Sequence, residues 1–584
     1  MCGIAGIMTS DGSAPDGAAL DAMKNALLHR GPDDDAVWVS GDTGLVHTRL
    51  AIIDLETGDQ PLFGPGGTAL VANGEIYNYI ELRDELPDVD FATNSDCEPV
   101  LHYYRHHGPD FAEWLRGMYA LALYDPQERR LVLSRDPFGI KPLYYAQSEN
   151  GIAFASEAQA LLAAGFGSRD LRDRPVGELL QLQFTTGAHT PFEGIERVLP
   201  GETIVIAGGR IIDRRHRPAL PSGGPQRTSE AAALEALEIA LTDSVDVHQR
   251  ADVPYAMFLS GGIDSSAILA LMARLNDTPV CAYTAGFPGT AAADERAHAR
   301  NVAQACGAEH VEIAFEPSDF WSLLPAIAAA MDEPVADYAI LPTWKLAQVA
   351  AKDHKVILSG EGGDEIFGGY GRYRSLMRPW WRGGRGMRRR GILDGLGVLR
   401  HEDPAWRDGI AAAEVVLRTD GRSRLQVAQA VDCADWLPND LLTKLDRCLM
   451  AHGVEGRTPF LDPAVANAAF RLPDSLKVKG GLGKWILRKW LDRAAPAADA
   501  FARKKGFTVP VGEWIAAEGA RIGPLVATQP GIAERCRPEA VTALFRAPGK
   551  RERFAAWTLL FFALWHQHHV LAISADGDAF DALA

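Results

Sequence analysis

The chain has 584 residues, of which 47% are apolar and 23% charged; the length calls for at least two domains and the composition excludes wholesale disorder. Lys and Arg total 59 against 76 Asp and Glu, a formal charge of −17, which argues against a protein that coats nucleic acid. Seven scattered Cys do not form a disulfide framework and suit a reducing compartment.

The opening MCGIAGIMTSDG has no basic segment and meets Asp11 early, so no secretory signal is expected. Residues 1 to about 215 read as mostly β, with short runs at 35–39, 45–53, 69–73, 118–124, 130–134 and 151–155 between Gly, Pro and Asp turns. A hairpin of 203–206 and 210–213 is expected to turn at Gly208-Gly209. Helices are expected at 18–28 and 97–104, giving sheets covered by helices.

HRPALPSGGPQRTSE, residues 216–230, reads as a linker. From 231 to 584 the pattern becomes strand, turn, helix. The strands are expected at 253–259, 280–285, 310–314 and 355–358, with a Gly261-Gly262 turn, a helix from Ser265, and helix-length segments at 294–306 and 342–352. Such alternation implies a parallel sheet with helices on both faces. Residues 372–400 hold clustered Arg with Gly and Trp-Trp; that run is read as a solvated surface insertion rather than an anion site. The apolar run 557–565 is too short to cross a bilayer and predicts a buried helix. No membrane contact is expected, and the protein should be cytoplasmic.

Removal of the initiator Met, which a small second residue permits, would make Cys2 the first residue. Thiol and α-amine would then sit on adjacent carbons, and the amine, with a pKa of roughly 7.7–8, serves as a general base without a His. MCGIAGI is followed in order by HRGPDD (29–34), HTRLAIIDL (47–55), GDQPL (58–62), NGEIYNY (73–79), TNSDCE (93–98), GMYALALYD and LSRDPFGIKPLYY. This series resembles the class II glutamine amidotransferases, N-terminal-nucleophile (Ntn) hydrolases of αββα fold. The resemblance implies that Cys2 attacks the glutamine amide, forming a thioester and releasing ammonia. It implies an oxyanion hole from the Asn73 side chain and Gly74 N–H, Arg49 on the glutamine α-carboxylate, and Asp96 on its α-ammonium. Glu75 and the backbone near Ile53 would complete the pocket.

No G-x-x-x-x-G-K-[ST] occurs. Instead FLSGGIDSS (258–266) follows an apolar strand and opens a helix. Its small residues let backbone N–H groups approach an anion beside the positive helix end, which suits pyrophosphate. LSGEGGDEIFGGY (358–370) sets Glu361, Asp364 and Glu365 among glycines. Three carboxylates on one turn beside phosphate are expected to share a divalent cation, Mg²⁺.

The first string resembles the PP-loop of ATP pyrophosphatases. Both strings together with the first site resemble the glutamine-hydrolysing asparagine synthetases. That resemblance implies ATP contacts from Leu259, Ser260, Gly261, Gly262, Asp264, Ser265, Ala285, Ser359 and Gly360. It implies Mg²⁺–pyrophosphate on Asp264 and Asp364, and Glu361 positioning the acceptor. Lys484, in GLGKWILRK, would stabilise charge as pyrophosphate leaves or ammonia attacks. Glutamine, ATP and aspartate would be the small-molecule partners, without nucleic acid, in a homodimer.

LLTKLDRCLMAHGVEGRTPFLDP (441–463) departs from the commoner family string at Cys448, Leu449 and Gly456. DEPVAD (332–337) and ARKKGF (502–507) resemble one bacterial subgroup. These departures bear on the acceptor and leave aspartate or another carboxylate, as in secondary-metabolite amidotransferases; a catalytically silent regulatory homologue is a third reading, which would show degraded motifs where the catalytic positions here are intact. A tRNA-modifying PP-loop enzyme is disfavoured because no C-x-x-C occurs.

Overall fold

The structure, a computed structural model, describes residues 2–290, 294–378, 381, 386–418, 421–502 and 509–584. The sequence motif at 502–507 therefore lies outside the described residues except for Ala502, as do 379–380 and 382–385 of the Arg-rich run.

Twelve strands precede the linker: β1 (Gly3–Thr9), β2 (Asp34–Ser40), β3 (Thr43–Arg49), β4 (Leu62–Phe63), β5 (Ala69–Ile76), β6 (Gly117–Asp125), β7 (Arg130–Arg135), β8 (Tyr144–Ser148), β9 (Gly151–Ala155), β10 (Ile195–Arg197), β11 (Glu202–Ala207) and β12 (Arg210–His216). They form two antiparallel six-stranded sheets, ordered β10-β8-β9-β1-β3-β2 and β12-β11-β7-β6-β5-β4. Alternation along the central strands explains their stacking. Ala69, Val71, Ala120 and Ala122 point at Ile4, Met8, Leu45 and Phe154 of the other sheet. Leu70, Ala72, Leu121 and Leu123 point the opposite way, onto Val100, Leu101 and Tyr104 of the helix Glu98–His107. On the far side Ala5, Ile7, Val46 and Ala153 meet Leu20, Met23 and Leu27 of the helix Gly17–Leu27. The layers are helix, sheet, sheet, helix, as expected of an Ntn fold.

The Gly208-Gly209 turn is where the sequence requires it, with both residues at positive φ (54 and 66). Among the strands before the linker, one ends earlier than expected. β3 stops at Arg49, because Leu50 and Ile52 leave the sheet to join a core shared with residues such as Met257 and Leu259.

Beyond the linker, β13 (Tyr255–Phe258), β14 (Cys281–Gly286), β15 (Glu309–Ala314), β16 (Val356–Leu358) and β17 (Glu455–Arg457) form a parallel sheet ordered β15-β14-β13-β16-β17. Residues on its two faces join two different cores: Ala256 and Ile357 one, Met257 and Leu358 the other. The apolar run 557–565 lies in the helix Lys550–His569, fully buried. Its two indoles still need acceptors, which Trp557 finds at Ala336 O (2.7 Å) and Trp565 at Met331 O (2.8 Å). Among the described residues no helix is long and apolar enough to cross a membrane.

The Arg-rich run is not simply solvated. Arg372 pairs with Asp432 at 2.7 Å and lies 3.8 Å over the Tyr370 ring. Arg388 lies 4.0 Å from the Trp436 ring and 4.9 Å from Phe184. Ring faces capture these two guanidiniums, where the sequence predicts solvated side chains.

Candidate active sites

Cys2 stands immediately before β1, buried at 8% exposure. Its backbone nitrogen donates to Asn73 Oδ1 at 3.2 Å. That bond fixes the Asn73 amide, whose Nδ2 is buried without a hydrogen-bond partner. Gly74 follows on β5, where a Cβ would stand 2.0 Å from the Met118 carbonyl oxygen; only glycine fits. Burial raises the Cys2 thiol above its ordinary pKa, offset in part by the Leu50 backbone and Arg49. The surroundings alone do not make a thiolate, so a proton acceptor is required.

Arg49 ends β3, and its fork is held by Asp59 Oδ1 (2.5 Å) and Asp54 O (2.5 Å). Asp54 also accepts from the N–H of Asn94 at 2.9 Å, tying this loop to the turn that carries Asp96. Asp96 is buried and accepts from Ile76 N–H at 2.7 Å. Burial pushes its pKa up to about 6 despite that bond. Glu75 is raised too, first by burial and then by Glu455 and Asp96. Ile53 is half-buried, and the backbone on either side of it bonds to Asp252, from Asp54 N–H (2.8 Å) and to Ile52 O (2.9 Å).

Two residues unassigned by the sequence join this site. Arg30, fully buried, donates to Cys2 O at 3.2 Å and to Glu157 at 2.7 Å, and grips Asp446 at 2.8 and 3.1 Å. Arg457, on β17, stands 3.4 Å from Glu75 and donates to His248 O and Arg250 O at 2.9 and 2.7 Å. Both lie inside quoted motifs, HRGPDD and VEGRTPFLD. Neither motif shows which partner its Arg takes.

The second site lies at the C-terminal ends of β13, β14 and β16, where ligands collect in parallel sheets. Leu259 continues β13, donating to Tyr283 O at 2.8 Å and accepting from Thr284 Oγ1 at 2.6 Å. Ser260 Oγ accepts from Gly262 N–H (3.2 Å), and Ser265 Oγ accepts from Ser260 N–H (3.2 Å). Gly261 supplies φ +71. The helix Ile263–Leu275 starts two residues before the expected Ser265. Ala285 is buried on β14, and Ser359 N–H reaches Arg457 O at 2.8 Å.

The glycines of 358–370 admit neighbours that side chains would exclude. A Cβ on Gly360 would lie 3.0 Å from Asp264 Cβ, one on Gly363 2.3 Å from Asp264 Oδ1, and one on Gly369 1.8 Å from Asp364 Oδ1. Asp264 and Asp364 thereby meet on the buried Lys484 ammonium, Asp364 at 2.8 Å. Burial alone would lower the Lys484 pKa, but the two carboxylates hold it above the ordinary value. The three carboxylates of this string diverge, contrary to the sequence expectation. Glu361 turns to Lys444 at 3.0 Å, while Glu365 is buried under Tyr370 Oη at 2.6 Å, with its pKa raised to about 8, first by burial. Consecutive helical residues point about 100° apart, and Asp364 and Glu365 of the helix Gly363–Phe367 accordingly take different partners, Lys484 and Tyr370. Among the described residues no cluster of three or more His, Cys, Asp or Glu could hold a metal by itself.

An asparagine synthase family model matches residues 236–567, and a glutamine amidotransferase domain model matches residues 1–217. The chain is 32% identical to asparagine synthetase [glutamine-hydrolyzing] 1 of Bacillus subtilis, covering 98% of this chain and 97% of that one. It is 30% identical to asparagine synthetase B of Escherichia coli over 88% and 83% of the two chains. A Gibberella zeae protein named amidase chry2 is 33% identical over 65% of this chain and 61% of its own.

Proposed function

Because the chain belongs to the asparagine synthase family, we propose that it transfers glutamine nitrogen to an ATP-activated carboxylate, with the side chain of L-aspartate as the acceptor. Residues 1–215 would release the nitrogen, 216–230 would link, and 231–584 would activate the acceptor.

In this reading the Cys2 α-amine, exposed by loss of Met1, takes the thiol proton as sulfur attacks the amide carbon. Asn73 Nδ2, buried and unbonded, donates to the oxyanion together with Gly74 N–H, in a setting where each donor contributes roughly 3–4 kcal/mol. The proton passes to the leaving nitrogen, and water later hydrolyses the thioester to glutamate. Arg49 and the ionised Asp96 hold the two charged ends of glutamine.

At the second site the acceptor carboxylate attacks the α-phosphorus of ATP, expelling pyrophosphate and leaving an acyl-adenylate. Ammonia then attacks the acyl carbon and AMP leaves. Ser260, Gly261, Gly262 and Ser265 fit a pyrophosphate cradle, with Leu259, Ala285, Ser359 and Gly360 around the rest of the nucleotide. Lys484 balances charge on the departing group. Mg²⁺ fits the donor chemistry: Asp264 and Asp364 would hold it with phosphate oxygens and water, and its charge would neutralise the leaving pyrophosphate.

The observation that carries the coupling is Arg457, whose carbonyl accepts from Ser359 N–H and whose guanidinium meets Glu75. One residue thus touches both sites. Ammonia passing here would be sheltered from protonation in bulk water. Measuring AMP and glutamate release with a panel of carboxylic acids tests the reading. Aspartate should give equimolar AMP and glutamate, and AMP at background with aspartate would overturn it. A different carboxylate is the second reading, favoured by Cys448, a departure from the commoner family string that lies one helical turn after Lys444, which contacts Glu361 at 3.0 Å.

A further inference from the structure

The segment Asp432–Leu442 is a π-helix, a widened form that recurs at functional sites. Its buried polar side chains are matched one by one. Asp432 takes Arg372 and Tyr373, Asp435 takes Gly187 N–H at 2.8 Å, and Asn439 donates to Thr185 O at 3.1 Å. Asp440 is the exception. It is 0% exposed, and neither carboxylate oxygen has a hydrogen-bond partner. A buried carboxylate left this way is costly unless something else pairs it.

Arg388 is incomplete in the complementary way. Trp436 and Phe184 hold its guanidinium by their ring faces, yet Nε and Nη2 are buried without partners. Those two nitrogens form the edge that takes a carboxylate through two parallel bonds. Trp436, on which Arg388 packs, stands four residues before Asp440 on the same segment, so the two groups are neighbours, but no hydrogen bond or ion pair joins them. One turn beyond Asp440, Lys444 contacts Glu361 at 3.0 Å and Asp337 at 3.4 Å. Glu361 adjoins Gly360 of the nucleotide loop. The unmatched anion and the unmatched cation thus stand at the far end of a chain of charges that begins beside the phosphate cradle.

We propose that Asp440 and Arg388 grip the α-ammonium and α-carboxylate of the acceptor, restricting it to an α-amino acid whose side-chain carboxylate reaches the nucleotide. This rests on the amide-forming reading above and names the groups that select the acceptor. Each end of such a zwitterion supplies the charge that one of the two side chains lacks.

The test compares AMP formation by the full-length enzyme with L-aspartate, succinate (no α-ammonium) and 3-aminopropanoate (no α-carboxylate). Wild type should favour aspartate over either analogue by at least about 100-fold in kcat/KM, equivalent to ~2.7 kcal/mol per charged contact. Asp440→Asn should raise the KM for aspartate at least tenfold, leave the KM for ATP within about twofold, and shrink the preference over succinate only. Arg388→Gln should shrink the preference over 3-aminopropanoate only. Unchanged aspartate KM in both variants, with melting transitions like wild type, would overturn the proposal. Equal use of succinate and aspartate by wild type would overturn it without any variant. If wild type activates none of the three but another carboxylate, the aspartate reading itself fails, and the assignment of Asp440 and Arg388 to an amino-acid zwitterion fails with it.

Discussion

Arg457 Nη2 stands 3.4 Å from Glu75 Oε1 as a contact of charges rather than a hydrogen bond: Arg457 Nη2 and Glu75 Oε2 are both buried without a hydrogen-bond partner. The last strand of the parallel sheet therefore touches the strand that carries Asn73 and Gly74. Replacing Arg457 with Lys keeps a charge but loses the fork that also reaches His248 O and Arg250 O. We expect glutamate release to outrun AMP release by threefold or more in this variant, against one to one in wild type. Parallel assays of the two products check it, and an unchanged ratio would remove Arg457 from the coupling.

Cys2→Ala should abolish glutamate release and glutamine-dependent amide formation, while ammonium salts still support AMP production. Asn73→Ala should lower kcat for glutamine by about 10²–10³-fold with little change in KM, the signature of a donor used mainly in the transition state. A change confined to KM would contradict the oxyanion role.

The backbone setting of the candidate motifs was legible because each is local. SGGIDSS sits at a strand-to-helix turn, and NGEI, the first four residues of NGEIYNY, ends β5, so the local backbone of each follows from its own residues. The partners of Arg30 were not legible, since Asp446 lies 416 residues away. β17 was missed for a similar reason: three residues, Glu455–Arg457, become a strand only by pairing with β16. Glu361, Asp364 and Glu365 turn to different partners, Lys444, Lys484 and Tyr370, because closeness in sequence says nothing of direction around a turn. Arg372 and Arg388 read as solvent-facing because their partner rings, Tyr370, Trp436 and Phe184, come from separate segments.

Asp96 sets a pH dependence with a definite sign. Burial raises its pKa from 3.8 to about 6, so its contribution to stability is fully present below the unfolded value and is lost as pH rises through about 6. The group must be ionised to hold an ammonium, so kcat/KM for glutamine should fall about tenfold per pH unit below that point. Asp96→Asn should flatten this limb, lower kcat/KM at pH 8, and raise stability there by at most about 3 kcal/mol. A profile in which the variant retains the acid limb would assign that titration elsewhere.

Lys484 stands between Asp264 of SGGIDSS and Asp364 of SGEGGDE, the two loops proposed to hold the nucleotide. Lys484→Met leaves two acidic groups facing each other and removes the cation proposed to balance the departing phosphate. We expect AMP formation to fall at least 10³-fold, with the melting transition lowered by the loss of a buried pair, about 3–5 kcal/mol. Pyrophosphate release measured with saturating acceptor checks it, and a loss below tenfold would leave Lys484 a structural residue.

In the proposed reaction, nitrogen freed at the terminal sulfur reaches the activated carboxylate without entering bulk solvent. Turnover with glutamine labelled with ¹⁵N at the side-chain amide, in excess unlabelled ammonium at near-neutral pH, reads this directly in the amide product. Predominantly ¹⁵N-labelled product is predicted. Product labelled only in proportion to the mixed ammonium pool would contradict it.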